Sequence, residues 1–265
     1  MPPRVQIYVA AHKPYAFPAD SAYVPLQVGA ALHAESFCTL RDDMGENISA
    51  RNASYCELTA LYWMWKHAQA DFVGLAHYRR YLAAPRRHAA PRARILSGPE
   101  LERLLARDAL LLPRRRRYLI ETNLSQYAHA HHVKDLLAAR DVILSLYPGT
   151  QTAFDAVMRR RSGHRFNMFV MRRDMLSAYC AWLFPILFAL EARLDTSAYD
   201  DYNRRVIGFI AERLLDVWIA QNNLPYRELP VVDLEPVDWL RKGARFCLRK
   251  LRGTLQPAHG GLRRE

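Results

Sequence analysis

From Asp71 the chain reads Asp71-Phe72-Val73-Gly74-Leu75-Ala76-His77-Tyr78-Arg79-Arg80-Tyr81. Phe72 to Ala76 is a short uncharged apolar run that ends in a basic and aromatic cluster. It is too short for a helix and shows no polar alternation, which predicts a strand buried on both faces. Upstream, Leu58, Leu61, Tyr62 and Trp65 keep helical spacing within Ala53 to Ala70, and Ser49 or Asn52 is available as the cap. Earlier still, Val5-Gln6-Ile7-Tyr8-Val9 is a β-type run that stops at His12-Lys13-Pro14. Strand, helix and strand in that order predict parallel strands joined by a helical crossover.

The pattern continues outward. Pro18 to Pro25 reads as loop and Leu26 to Ala34 as a short helix. Arg41 to Asn47, rich in Asp, Gly and Asn, is turn chemistry. Ser97 with Glu100 forms a capping box for a helix to Ala106, and Leu110 to Pro113 is a short strand. Helical pieces are expected at Ser125 to Ala139 and Thr152 to Arg160, and a strand at Phe166 to Met171. A long helical region then runs to about Arg193, kinked or split by Pro185, and a further helix covers Asn203 to Gln221. Met175 to Leu190 is uncharged for 16 residues, short of the roughly 20 a membrane span needs, and reads as a buried core helix. The expected fold is α/β: one domain over 1–236 with a mostly parallel sheet and helical additions, followed by a basic tail over 237–265.

Composition narrows the function. The 265 residues are 51% hydrophobic and 24% charged, which excludes a disordered chain. Lys and Arg number 38 against 26 Asp and Glu, a net charge of +12, and nearly all the cations are arginine. Arginine suits planar, bidentate partners such as phosphates, although an Arg-rich codon bias gives the same composition. Three basic clusters stand out: Arg114 to Arg117, Arg159 to Arg161, and the tail from Arg241. No zinc-finger spacing, aromatic RNA-binding signature or helix-turn-helix pattern accompanies them, so nucleic acid is not an expected partner. In the tail, Leu240, Ala244, Cys247, Leu248 and Leu251 share one helical face, with Arg241, Lys242, Arg245, Arg249, Lys250 and Arg252 around it. That pattern predicts an anionic membrane surface as partner, or a helix packed on its own domain. Cys38, Cys56, Cys180 and Cys247 make no Cys-x-x-Cys pair, which fits a reducing compartment. Met1-Pro2-Pro3-Arg4 leads straight into the first strand and does not resemble a signal peptide, so a cytoplasmic location is expected.

In sheets of this type ligands bind beyond the carboxyl ends of the strands. That rule selects His12 and Lys13 after the first strand, and His77, Tyr78, Arg79 and Arg80 after Ala76. The ligand they imply is anionic. There is no Gly-x-Gly-x-x-Gly and no Walker loop, so neither a dinucleotide site nor a P-loop is supported.

Several longer motifs extend this reading. Asp42-Asp43-Met44-Gly45-Glu46-Asn47-Ile48-Ser49, Tyr55-Cys56-Glu57-Leu58-Thr59-Ala60-Leu61-Tyr62-Trp63 and Gly74 to Tyr81 follow in order. Asn167 to Met171, Tyr179 to Leu187 and Val206 to Leu215 complete the series. Over about residues 5 to 232 the chain resembles a bacterial family catalogued as a domain of unknown function, DUF4422. The resemblance implies a glycosyltransferase of capsule, exopolysaccharide or lipopolysaccharide O-antigen synthesis, with a GT-A-like nucleotide-sugar-binding domain. It also implies a UDP-sugar donor, with galactofuranose as one candidate sugar, and a lipid-linked glycan acceptor. Together with the tail it places the enzyme at the inner face of the bacterial inner membrane.

Many GT-A enzymes hold the donor diphosphate through a divalent metal on an Asp-x-Asp motif. Here the comparable strand end carries Arg79 and Arg80, whose guanidinium groups can neutralise a diphosphate directly. Metal-independent transfer without a cofactor is therefore expected, with Mg²⁺ or Mn²⁺ at Asp42 and Asp43 as the rival. A bland alternative has one arginine in an internal ion pair and the other in solvent. Asp42, with Asn47 and Asn52 as polar partners, is expected to contact a sugar or ribose, against plain turn or helix capping. For the general base, Asp135 is the first choice, oriented by His132 three residues before it. Glu212 is the second; it shares a helical face with Arg205 and Gly208, and a buried ion pair with Arg205 or Arg213 is its structural alternative. Glu57 reads as a hydrogen-bonded core residue. Asn167 is expected to face the donor pocket. His129, His131 and His132 lack the four-residue spacing of a helical metal pair. A non-catalytic sugar-nucleotide or glycan-binding module is the competing function.

Overall fold

A computed structural model describes residues 4–86 and 88–235; the expected tail over 237–265 lies outside the described residues. The chain opens with β1 (Val5–Ala11), β2 (Tyr23–Gln27) and β3 (Leu40–Arg41), then α1 (Asn52–Tyr55) and α2 (Leu58–His67). A hairpin of β4 (Phe72–His77) and β5 (Arg80–Leu82) follows, then α3 (Gly98–Leu105), β6 (Leu110–Pro113) and β7 (Arg116–Arg117). Three helices come next, α4 (Asn123–Ala130), α5 (Val133–Leu146) and α6 (Gln151–Arg159). The chain continues through β8 (Ser162–Gly163), β9 (Phe169–Arg172), α7 (Arg173–Glu191), α8 (Val206–Gln221), β10 (Arg227–Leu229) and β11 (Val231–Asp233).

The main sheet has the order β10-β6-β9-β4-β1-β2-β3. β1 pairs in parallel with β2 on one side and β4 on the other, so Ile7 lies opposite both Tyr23 and Gly74. Only β9 opposes the rest of this path, because it is antiparallel to both β4 and β6. The expected mostly parallel α/β fold is therefore the observed one. β1 is buried on both faces. Tyr8 and Ala10 join the helices α2, α5, α6, α7 and α8 in one core. Ile7, Val9 and Ala11 face a second, smaller core with Leu101 and Leu105 of α3 and Val232 of β11.

Several boundaries differ from the sequence reading, each for a local reason. The single helix expected over Ala53 to Ala70 breaks at Cys56, which takes a φ of 52°. The side-chain amide of Asn52 donates to the Cys56 carbonyl at 2.7 Å and closes the break. The strand expected from Phe166 begins only at Phe169, since Phe166 and Asn167 both have positive φ, 78° and 50°. Tyr23 to Gln27, read as loop and helix, is a strand. β3 pairs only with its Leu26 and Gln27, so Pro25 sits beside an open edge where a missing donor matters little. Pro185 does not split the long helix as the sequence allowed: α7 runs on through it, with Leu183, Phe184, Ile186 and Leu187 buried around it. The capping box at Ser97 and Glu100 forms as read.

Candidate active site

The carboxyl ends of β1, β2 and β4 open into a cleft of about 570 Å³. That size is within the range of small-molecule sites. Its other walls are the break between α1 and α2, Phe166, and the first turns of α8. His12, Asn52, His77, Tyr78, Arg79, Arg80, Arg205 and Glu212, all singled out by the sequence, line it together. Gly208 lets α8 approach the break closely: a Cβ there would stand 3.3 Å from Cys56 Sγ.

The arginines are held in fixed positions. Arg79 Nη1 donates to Glu235 at 2.6 Å, and Arg80 Nε donates to Asp233 at 2.9 Å. The Arg80 guanidinium also lies 4.5 Å over the Phe166 ring. Both arginines are thus paired, where the bland alternative paired only one. Each pair engages one nitrogen of a group with five donors. Arg205 approaches from the opposite wall, its Nε 3.1 Å from Cys56 Sγ. Burial, and then Lys13, Arg79 and Arg205, hold the His12 imidazole below its ordinary pKa, with only Glu235 opposing. His12 is therefore neutral near pH 7, in a cationic surrounding. The Cys56 thiol is pushed up to about 11, chiefly by burial and then by Glu57, so it stays protonated and is no nucleophile.

Glu212 is one of three carboxylates, with Glu57 and Asp201, that line the cleft. The backbone amide of Phe166 donates to its Oε1 at 3.0 Å, and Arg213 Nη1 stands 3.4 Å from Oε2. Glu57 also lines the cleft and accepts a 2.7 Å hydrogen bond from Asn167 Nδ2. Cys56, Phe166 and Asn167 are three of the four non-glycine residues with positive φ among the described residues. Unfavourable backbone conformations gathered at one cleft mark a site that the surrounding packing holds in place.

Other expectations fall elsewhere. Asp135 is 1% exposed and does not line the cleft; both its oxygens accept from the Tyr199 hydroxyl, at 2.8 and 3.0 Å. The His132 ring packs tilted against Tyr199 with the ring centres 4.4 Å apart, makes no hydrogen bond to the Asp135 carboxylate and does not line the cleft. The two therefore do not form the expected base pair. Asp42 is fully buried, accepting from the amides of Gly29 and Ala30 and from the Ser49 hydroxyl. It organises a loop and contacts no ligand space. Asn47 serves the same loop, donating to the Asp43 and Gly45 carbonyls. Arg41 pairs with Asp43. The Asp42 and Asp43 carboxylates are thus committed to backbone amides, a hydroxyl and a guanidinium, and do not fit the rival metal site. Among the described residues, no three His, Cys, Asp or Glu side chains converge as metal ligands. Neither Lys13 nor Asn167 lines the cleft: Lys13 Nζ is 3.5 Å from Glu235, and Asn167 is buried.

The sequence reading missed Asp233 and Glu235, which orient both arginines. Their signal was the alternation Val232-Asp233-Leu234-Glu235, a half-buried strand pattern lying where the domain was expected to end. Phe166, Arg204 and Phe209 were missed as well, since nothing local sets them apart from core and surface residues.

A family model described as a domain of unknown function, DUF4422, matches residues 6–223. Comparison with curated proteins finds no match. Among solved structures, the chain is similar to the apo structure of the bifunctional glycosyltransferase WbbM, with 33% identity and a TM-score of 0.83. The similarity covers 88% of this chain and 45% of that one, so the chain spans less than half of its neighbour.

Proposed function

The chain belongs to the DUF4422 family, and on that premise we propose that it transfers a sugar from a UDP-sugar to a hydroxyl of a glycan acceptor. One observation carries the reading: Arg79, Arg80, Arg205 and Glu212 line one cleft at the strand ends, in a fold similar to that of a glycosyltransferase. Guanidinium groups fixed before the ligand arrives neutralise the charge that develops on a departing diphosphate. Arg79, Arg80 and Arg205 take that role, without a metal. Glu212 Oε2 accepts the proton of the acceptor hydroxyl. The hydroxyl oxygen bonds to the sugar's anomeric carbon as the bond to the UDP oxygen breaks, and UDP leaves with the electron pair. His12 and Asn52 contact the nucleotide or sugar hydroxyls. Phe166 and Tyr78 supply aromatic faces.

The family resemblance favours galactofuranose as the sugar and a lipid-linked acceptor in capsule, exopolysaccharide or O-antigen synthesis. On this reading the reaction takes place at the inner face of the inner membrane, with the basic tail on anionic lipid. A donor screen tests the reading: UDP-galactofuranose, UDP-galactose, UDP-glucose and UDP-N-acetylglucosamine, each with and without EDTA, followed by UDP release. Release from one donor that survives EDTA and is lost in Arg79→Ala or Arg205→Ala supports it. UDP binding without turnover of any donor favours the binding-module alternative.

A further inference from the structure

Two of the arginine clusters in the sequence meet in space. β7 and β8 pair antiparallel, with Arg116 opposite Gly163 and Arg117 opposite Ser162. The pairing brings the segments that carry Arg114, Arg116, Arg117, Arg159, Arg160 and Arg161 side by side as one basic ridge of the backbone, and all six residues are exposed. Among the described residues, Arg115 is the one member of the run that forms an ion pair, with Glu228. Directly beyond β7 stand Leu119, 92% exposed, and Ile120, 75% exposed. Isolated apolar side chains in water need no explanation, but two adjacent ones at the edge of a cationic ridge do.

The loop carrying them is fastened at its base. The Tyr118 amide donates to the Arg161 carbonyl and the Asn123 amide to the Arg160 carbonyl, both at 2.8 Å. Buried Arg165 donates to the Tyr118 hydroxyl at 2.8 Å and to Asn123 Oδ1 at 2.7 Å. Glu121, next along the chain, is in contact with His129 Nδ1 at 2.6 Å. Leu119 and Ile120 are thus held outward by an anchored loop. The same stretch continues from Arg165 to Phe166, whose amide donates to Glu212 in the cleft.

We propose that this ridge and tip form a docking site for an anionic lipid bilayer, separate from the C-terminal tail. Leu119 and Ile120 enter the boundary between headgroups and acyl chains, and the six arginines meet the anionic headgroups. An apolar tip rimmed by cations matches that chemistry, whereas a nucleic-acid backbone offers nothing to the two aliphatic side chains. The site gives the proposed lipid-linked acceptor a fixed approach to the cleft, but its existence does not depend on that reading.

The test is co-sedimentation of the full chain with phosphatidylglycerol-containing vesicles and with pure phosphatidylcholine vesicles, with a short DNA duplex as competitor. The wild type is expected to bind the anionic vesicles and not the zwitterionic ones. Leu119→Ser with Ile120→Ser is expected to weaken that binding about tenfold or more. Arg116→Ser with Arg117→Ser is expected to weaken it about fivefold per charge removed. All four positions are exposed, so the melting temperature and UDP release on a soluble acceptor stay as in the wild type. Failure of the wild type to bind, or wild-type binding by both ridge variants, overturns the proposal; the latter assigns binding to the tail. DNA binding that needs the arginines, with vesicle binding indifferent to Leu119 and Ile120, overturns it in favour of a nucleic-acid surface. UDP release is measured independently, so loss of catalysis and loss of docking are told apart.

Discussion

Glu212 and Asp135 are both carboxylates on helices, and their surroundings give them different work. Glu212 lines the cleft with one oxygen held by a backbone amide, while both oxygens of Asp135 face the Tyr199 hydroxyl in the interior. Glu212→Gln keeps an oxygen for the Phe166 amide but cannot take a proton. UDP release is expected to fall ~10²–10⁴-fold, with UDP affinity and melting temperature retained. Asp135→Ala leaves the Tyr199 hydroxyl without its partner and is expected to cost about 1–3 kcal/mol by denaturant unfolding, with turnover per folded molecule unchanged. The reverse outcome would move the base to Asp135. His131 adds a pH prediction. Burial first, and then Arg213, lower its pKa from 6.5 to about 4, and it packs between Tyr127, Tyr202 and Phe209. The unfolded chain takes up the proton near pH 6.5 and the folded chain only near 4, so in that window the unfolded state binds more protons. Stability is therefore lost as pH falls from about 6.5 towards 4. His131→Phe keeps the ring packing and is expected to show a smaller drop in melting temperature between pH 7 and pH 5 than the wild type.

Among the elements, the β4 segment shows what the sequence makes legible and what it does not. Its apolar run and basic exit revealed the central strand and most of one cleft wall, because both signals are local. Asp135 and Asp42 misled for a related reason: a carboxylate near a polar cluster looks the same in sequence whether it faces a ligand, a tyrosine or three loop donors. Cys56, Phe166 and Asn167 were illegible because their φ values are set by packing partners distant in the chain. Gly74 gives the element-scale prediction. A Cβ there would stand 2.6 Å from Ile7 Cδ1 and 2.9 Å from the Phe169 carbonyl oxygen. The first is a side chain that can shift, but the second is backbone fixed by the β4–β9 ladder. Gly74→Ala is expected to destabilise by about 1–3 kcal/mol in denaturant unfolding, although alanine is ordinarily the better strand residue.

For the whole molecule, a charge of +12 says little until the fold sorts it. Two of the basic clusters go to the ridge outside the cleft, while Arg79, Arg80, Arg204 and Arg205 come from different parts of the chain to line it. The cleft cations do not simply cancel within the protein. Asp233 and Glu235 pair with Arg79 and Arg80 and fix their direction, and the Arg79 hydrogen bond in turn holds the Glu235 carboxyl below its usual pKa. If the cleft takes a diphosphate as proposed, binding it stabilises the fold. At 100 times Kd, UDP adds about 2.7 kcal/mol to unfolding. For a fold of this size that is roughly 5–10 °C in melting temperature. Uridine, which lacks the phosphates, is expected to give much less at the same concentration. EDTA is expected to leave the UDP shift intact, and Arg79→Ala with Arg205→Ala to abolish most of it. A shift that disappears in EDTA and returns with Mn²⁺ would mean that a metal holds the diphosphate and the arginines only orient it. An equal shift from uridine and UDP would remove the phosphates from the account, and with them the reason for placing four arginines around one cleft.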